Sequence, residues 1–196
     1  MSTFFIAQPL SATVLLLIAG NSMNKLSETI MESSRLRLLP VNLTFRHEIF
    51  MAFTSEVTRY MFPKPPNDIS ETDEFIRTSI EKMRNGEEIV FAITLKQNDE
   101  FIGCAGIHSL NSNTPILGIW TKIAVHGNGY GRETIHTLYN WLCEYKEFDY
   151  VIYPVDRRNK SSRKIPESLG GIVGNNYTQK NMNNLELDIL EYRIYR

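Results

Sequence analysis

This sequence has no excess of either charge. Its 196 residues hold 21 Lys and Arg against 22 Asp and Glu, a net charge of -1, with no dense basic run. It therefore lacks the footprint of a nucleic-acid binder, because phosphate backbones are gripped by clustered positive charge. Cysteine is scarce as well. Cys104 and Cys143 are the only two, and they lie far apart in stretches that read as strand and helix. That placement gives neither a disulfide framework nor metal-ligand spacing, and it suits a reducing compartment. None of the four histidines, His47, His108, His126 and His136, stands four residues from another, so no helical zinc pair is present. There is no internal repeat and no low-complexity tract. A cytoplasmic protein without metal, nucleic-acid partner or membrane span is the expectation.

Long apolar runs are missing too, with one exception. Phe4 to Ala19 carries no charge. No Lys or Arg precedes it and no convincing small-x-small cleavage site follows, as a secretory signal would require. It is shorter than the roughly 20 residues of a membrane span, and Gln8 and Pro9 interrupt it. Residues 1–30 are expected to form an apolar N-terminal extension, packed on the domain or lying upstream of an original start at Met23. Such a surface could also seed a homodimer contact. Residues 31–196 are expected to form one domain with a sizeable core.

Along that domain the periodicity changes several times. Arg35 to Leu39 alternates basic and apolar residues, a half-buried strand closed by Pro40. Leu43 to Phe53 has helical spacing. Pro63 to Asp68 contains three prolines and reads as a loop. A helix follows, with Ser70 and Asp73 placed as a capping box and Phe75, Ile76, Ile80 and Met83 on one face. Asn85-Gly86 ends it. Ile89 to Leu95 and Phe101 to Leu110 read as a hairpin turned by Gln97-Asn98-Asp99. Ile116 to Val125 is the next strand. The helix after it starts near Arg132 and keeps Ile135, Leu138, Leu142 and Tyr145 on one face to Phe148. Tyr150 to Val155 is a strand, Asn159 to Leu169 a short helix, and Ile172 to Thr178 with Leu185 to Tyr195 a final antiparallel pair. The sum is an α/β or α+β mixed sheet, mostly antiparallel, with one parallel crossover.

That crossover contains His126-Gly127-Asn128-Gly129-Tyr130-Gly131, three glycines at every second position between strand and helix. Glycine lets the backbone turn tightly, and the first helical turn offers unpaired N–H groups and a positive dipole end. A bound phosphate is the natural occupant. A ligand-free glycine turn would cost entropy without any packing return. No Lys-Ser/Thr follows the last glycine, which excludes a P-loop. Thr134 stands where a dinucleotide loop needs its third glycine, and no HRD or DFG follows to support a kinase loop.

Gly118-Ile119-Trp120, the run from His126 to Gly131, and then Glu133 resemble the acetyl-CoA signature of the GNAT acetyltransferases. The likeness is nearest to the branch that acetylates ribosomal-protein N-termini. Phe101-Ile102-Gly103 with Gly106, Glu56-Val57-Thr58-Arg59-Tyr60, and Asn159-Lys160-Ser161-Ser162 ending in Leu169-Gly170 resemble further elements of that family, in the same order. The resemblance covers about Ser34 to Arg196. It implies the family's acyl-CoA N-acyltransferase fold and attack of an amine, a protein N-terminus or a small molecule, on the acetyl-CoA thioester. It also implies that His126, Gly127, Asn128, Gly129, Tyr130, Gly131 and Arg132 hold the pyrophosphate, a group that takes backbone N–H donors well.

The same resemblance implies roles for individual residues. Val125 N–H would bind the thioester carbonyl, Asn159 the pantetheine arm, and the Ser162 hydroxyl would protonate the departing thiolate, with Tyr153 and Tyr177 as rival hydroxyls. Glu56, Glu88, His108 and Asp156 are the available bases, His108 first among them. Trp120 reads as a site-lining aromatic or as a plain core residue. Three positions depart from the family pattern. His126 stands where an aromatic, basic or amide side chain is usual, a mild change because backbone N–H groups do the binding; the other two are larger. Pro166 falls inside the helix after Asn159, where it costs about 3 kcal/mol unless the helix is short or kinked. Gly171 replaces a phenylalanine core anchor. Both put the geometry of Ser162 in question and motivate an alternative, a catalytically weak coenzyme-A-binding module.

Overall fold

Among the residues described by the computed structural model, 26–196, eight strands form one sheet in the order β1-β2-β3-β4-β5-β6-β8-β7. The strands are β1 (Met31–Glu32), β2 (Leu36–Pro40), β3 (Ile89–Leu95), β4 (Phe101–His108), β5 (Ile116–Thr121), β6 (Val151–Asp156), β7 (Ile172–Lys180) and β8 (Glu186–Ile194). Four helices accompany them: α1 (Arg46–Ala52), α2 (Ile69–Arg84), α3 (Tyr130–Tyr145) and α4 (Lys160–Glu167). Every strand pair is antiparallel except β5 with β6, which are joined through α3. The apolar run Phe4 to Ala19 and the alternative start Met23 lie outside the described residues.

The strand period divides the core in two. Along β3 all seven residues are buried, as befits a strand covered on both faces. Ile89, Phe91 and Ile93 join the larger cluster with Ile135, Leu138 and Leu142 of α3. Val90 and Ala92 point the other way, into a smaller cluster with Ile49 of α1 and Ile76 of α2. Side chains such as Leu36, Leu38 and Phe91 are wholly enclosed, each contributing about 1.5–3 kcal/mol. Leu26 belongs to the larger cluster as well.

Three local expectations are corrected. The cap of α2 is Asp68, whose extended backbone lets its carboxylate accept from Ser70 N–H at 2.9 Å. The Ser70–Asp73 box is therefore not the cap, since Ser70 already lies within the first turn. Helix α3 begins at Tyr130 rather than near Arg132, because Gly129 takes φ 79 and starts the helix directly behind it. The strand before the glycine loop stops at Thr121, and Ile123–Val125 forms a 3-10 turn. Val125 N–H donates within that turn to Lys122 O at 3.2 Å, so it is not the free strand-end donor expected from sequence.

Candidate active site

The glycine loop holds its shape through two left-handed residues. Gly127 (φ 82) and Gly129 (φ 79) adopt angles that cost other residues steric energy. Both are exposed. The first helical bond after the loop runs from Glu133 N to Gly129 O at 3.1 Å, which leaves Tyr130, Gly131 and Arg132 N–H at the open end of α3.

Glu133 ties this end down. It accepts from Ser33 Oγ at 2.6 Å, Ser34 Oγ at 3.0 Å, Arg35 N at 2.9 Å and Arg35 Nε at 2.7 Å. Partial burial pushes its carboxyl up, but these hydrogen bonds outweigh that and bring it down to about 2. Arg35 also donates to Asn128 O at 3.0 Å and lies 4.6 Å from the Tyr130 ring centre. Sequence reading saw Arg35 only as a strand residue. The signal available was the pairing of an Arg directly before β2 with a Glu in the first turn after the loop.

Beside the loop the sheet opens. β5 and β6 pair at one position, Ile116 with Ile152, and Ile152 N donates to Pro115 O at 2.8 Å. On the other side Lys122 N donates to Ile102 O at 2.8 Å. By the alternation of an antiparallel ladder, even-numbered positions of β5 face β4, while Ile119 and Thr121 turn their N–H groups toward the opening.

Across the opening stands α4. Asn159 Oδ1 accepts from Ser162 N at 3.1 Å and caps the helix. Ser162 Oγ lies 2.8 Å from Tyr153 OH. Burial of Tyr153 pushes its phenol up to about 12, with the Ser162 contact opposing, so the phenol stays protonated. Pro166 lies in the last turn of an eight-residue helix, and its carbonyl accepts from Leu169 N at 3.0 Å and Gly171 N at 2.9 Å. A Cβ at Gly171 would sit 2.8 Å from Pro166 O and 3.1 Å from Ile194. The two departures thus share one tight helix end that has no room for a side chain at position 171.

The opposite face of β4 and β5 carries a cavity of about 710 Å³ under α1 and α2. His108 lines it, its Nδ1 2.9 Å from Glu88 Oε2. Lys82 Nζ approaches the same oxygen at 3.5 Å. Burial alone would raise the Glu88 carboxyl, yet His108 and Lys82 hold it below the ordinary carboxylate value. An ionised carboxylate only accepts, so Nδ1 carries a proton, and Nε2 is the ring nitrogen turned away from Glu88. The ring lies over Gly106 and Gly118, a cross-strand pair. A Cβ at these positions would come within 3.1 Å and 3.4 Å of Nε2. Trp120, 5.0 Å from Phe53 and 5.9 Å from Phe101 by ring centres, is both a core ring and a wall of the cavity.

The remaining candidates are placed elsewhere. Asp156 is buried under bonds from Arg158 N, Nε and Nη2 and Asp188 N, so its oxygens are spent. Glu56 is exposed on a separate hollow with His47 and Lys122. Tyr177 is exposed on the edge strand β7.

A parallel strand pair opened beside an N–H-lined loop, with a histidine-bearing cavity on the facing side, defines an N-acyltransferase architecture. The chain belongs to the GNAT acetyltransferase family, whose model, described as an acetyltransferase (GNAT) domain, matches residues 35–172. Solved structures share the fold at low identity. RimL, a ribosomal L7/L12 α-N-protein acetyltransferase in complex with coenzyme A, has a TM-score of 0.76 at 14% identity, covering 85% of this chain and 98% of its own. The microcin C7 self-immunity acetyltransferase MccE, in complex with acetyl-CoA and AMP, has a TM-score of 0.75 at 17% identity, covering 84% and 94%. A GNAT-family acetyltransferase from Bacillus anthracis has a TM-score of 0.73 at 15% identity, covering 85% and 98%. No curated protein matches in sequence.

Proposed function

We propose that the protein transfers the acetyl group of acetyl-CoA to a primary amine by direct attack in a ternary complex. The observation that carries this reading is the position of β5. One edge of the strand faces the opening beside the glycine loop, and His108 lies over its Gly118. Donor and acceptor sites are thus a single strand apart.

The residues present suit coenzyme A. The open N–H groups of Tyr130, Gly131 and Arg132 fit a pyrophosphate, and the Asn159 amide fits a pantetheine arm. The thioester supplies an activated acyl carbon whose carbonyl needs a hydrogen-bond donor. Ile119 and Thr121 N–H take that role in place of Val125. His108 Nε2 receives the amine proton while the N–C bond forms and the C–S bond breaks. Ser162 Oγ gives a proton to the sulfur, and the Tyr153 phenol donates to Ser162 in turn. Freeing a proton costs about 1 kcal/mol for an α-amine at pH 7 and roughly 4–5 for a lysine-like amine, which is where a positioned histidine matters. We place the activity in the cytoplasm because Cys104 and Cys143 are free thiols.

The alternative, a weak coenzyme-A-binding module, drew on Pro166 and Gly171. The cap between Asn159 and Ser162, and the Ser162–Tyr153 contact, speak against it. Thermal shift with acetyl-CoA, CoA and desulfo-CoA, followed by thiol release over a panel of amines, separates the two. Stabilisation without thiol release favours the binding module, and no stabilisation sinks both.

A further inference from the structure

The cavity that holds His108 is mostly apolar. Phe53, Phe62, Phe75 and Trp120 line it, together with Met61 and Met182. Phe62, Phe75 and Met182 are 51%, 40% and 56% exposed, so apolar surface is left unspent at the mouth. Gly106 and Gly118 carry no side chain, and the His108 ring fills the space above them, so the imidazole itself forms this part of the floor. Polar groups gather around His108, Glu88 and Lys82. Three carboxylates (Glu71, Glu74 and Glu88) line the cavity against two ammonium groups (Lys64 and Lys82), a balance that draws in a cation. Thr72, 3% exposed on α2, lines the same space with an Oγ1 that has no partner.

The mouth is also stitched. Met182 N donates to Phe62 O at 3.0 Å, and Asn181 Nδ2 donates to Met61 O at 3.4 Å. These bonds join the β7–β8 turn to the loop after α1, and residues of both line the cavity. An extended peptide entering between the two loops would have to break them. A volume of about 710 Å³ lies within the range that encloses a small organic molecule.

Resting on the transfer reaction proposed above, we infer that the acceptor is a small primary amine carried on a flat apolar group, an arylalkylamine by class, and not a protein terminus. The ring packs between Trp120 and Phe75, beside the His108 imidazole. The ammonium is drawn toward Glu88 and loses its first proton to solvent, and His108 takes the second as the N–C bond forms.

The test compares kcat/KM by thiol release for 2-phenylethylamine, ethanolamine and a hexapeptide with a free N-terminus, at saturating acetyl-CoA. The expected result is a preference for 2-phenylethylamine over both on the order of 100-fold, the range that apolar recognition supplies. Equal or better turnover of the peptide or of ethanolamine overturns the inference and leaves acetyl transfer standing. No turnover of any amine, with acetyl-CoA still bound, overturns the transfer reaction and the inference with it. Phe75→Ala, at an exposed helix position, gives a second readout. It should lower kcat/KM for 2-phenylethylamine about 10-fold and that for ethanolamine by much less. An equal change for both amines, or none, contradicts a ring bound at that wall.

Discussion

His108 Nδ1 meets Glu88 Oε2 at 2.9 Å because β4 contains one extra residue. At the turn end of the hairpin Thr94 pairs with Phe101, but from Ile93 onward the partner shifts by one, with Ile93 opposite Gly103 and Ile89 opposite Ile107. Ile102 is the bulged residue. Without it the ladder would set Glu87, not Glu88, across from His108, and the side chains would exchange faces.

In the proposed reaction this pairing holds Nδ1 on Glu88 and leaves Nε2 as the accepting nitrogen. His108→Asn is expected to lower kcat by about 10²-fold at pH 7, within the range of general-base contributions. The deficit should shrink as pH rises, because more of the amine is then already neutral. Glu88→Gln should lower kcat less, with KM for acetyl-CoA unchanged. Steady-state kinetics across pH check both, and a pH-independent deficit in His108→Asn would remove its role as base.

The glycines beneath His108 offer a graded test. A Cβ at Gly106 would lie 3.1 Å from His108 Nε2 and 3.3 Å from Ile89 O, whereas at Gly118 the nearest atom is His108 Nε2 at 3.4 Å. Gly106→Ala therefore displaces the ring and should cost about 10-fold or more in kcat. Gly118→Ala makes only ordinary contact and should cost less. The reverse order in amine kinetics would contradict the placement of the ring.

Glu133 sets an acid limit. Its pKa is lowered from 4.5 to about 2 in the folded chain, so its stabilisation is complete above about 4.5 and is lost as pH falls toward 2. Arg35 is half exposed, which weakens the pair by screening. Glu133→Gln is expected to cost about 2 kcal/mol at pH 7 and progressively less below pH 4.5. Urea unfolding at pH 7 and pH 3 measures this, and an equal loss at both values would contradict the linkage. Acetyl-CoA affinity should fall too, since Glu133 anchors the loop.

Ser162 and Tyr153 separate chemistry from packing. Ser162→Ala should reduce kcat about 10- to 100-fold with little change in Tm, as befits a half-buried hydroxyl. Tyr153→Phe removes one buried hydrogen bond, worth about 1 kcal/mol, and should affect rate less than Ser162→Ala. Parallel melting and kinetic measurements decide. A larger rate loss for Tyr153→Phe would make the phenol the acid.

Much of this arrangement was legible in the sequence. The glycine spacing implied the loop, and strand and helix periods placed all seven longer strands and the four helices to within a few residues. What escaped depended on distance in sequence or on single-residue geometry. The bulge at Ile102 and the end of β5 at Thr121 carry no local signature, so the Glu88–His108 pairing and the misplaced role of Val125 went unread. Glu133 meets Arg35 across 98 positions of sequence. Pro166 and Gly171 read as separate defects, yet they meet at one helix end where Gly171 N–H donates to the Pro166 carbonyl.

The most direct measurement follows both products at once, incubating the protein with acetyl-CoA and 2-phenylethylamine and quantifying free thiol and acetylated amine by mass spectrometry. Direct transfer predicts that the two appear in equal amounts, and that both nearly vanish in His108→Asn at pH 7. Thiol released without acetylated amine, at a rate indifferent to the amine, would contradict it.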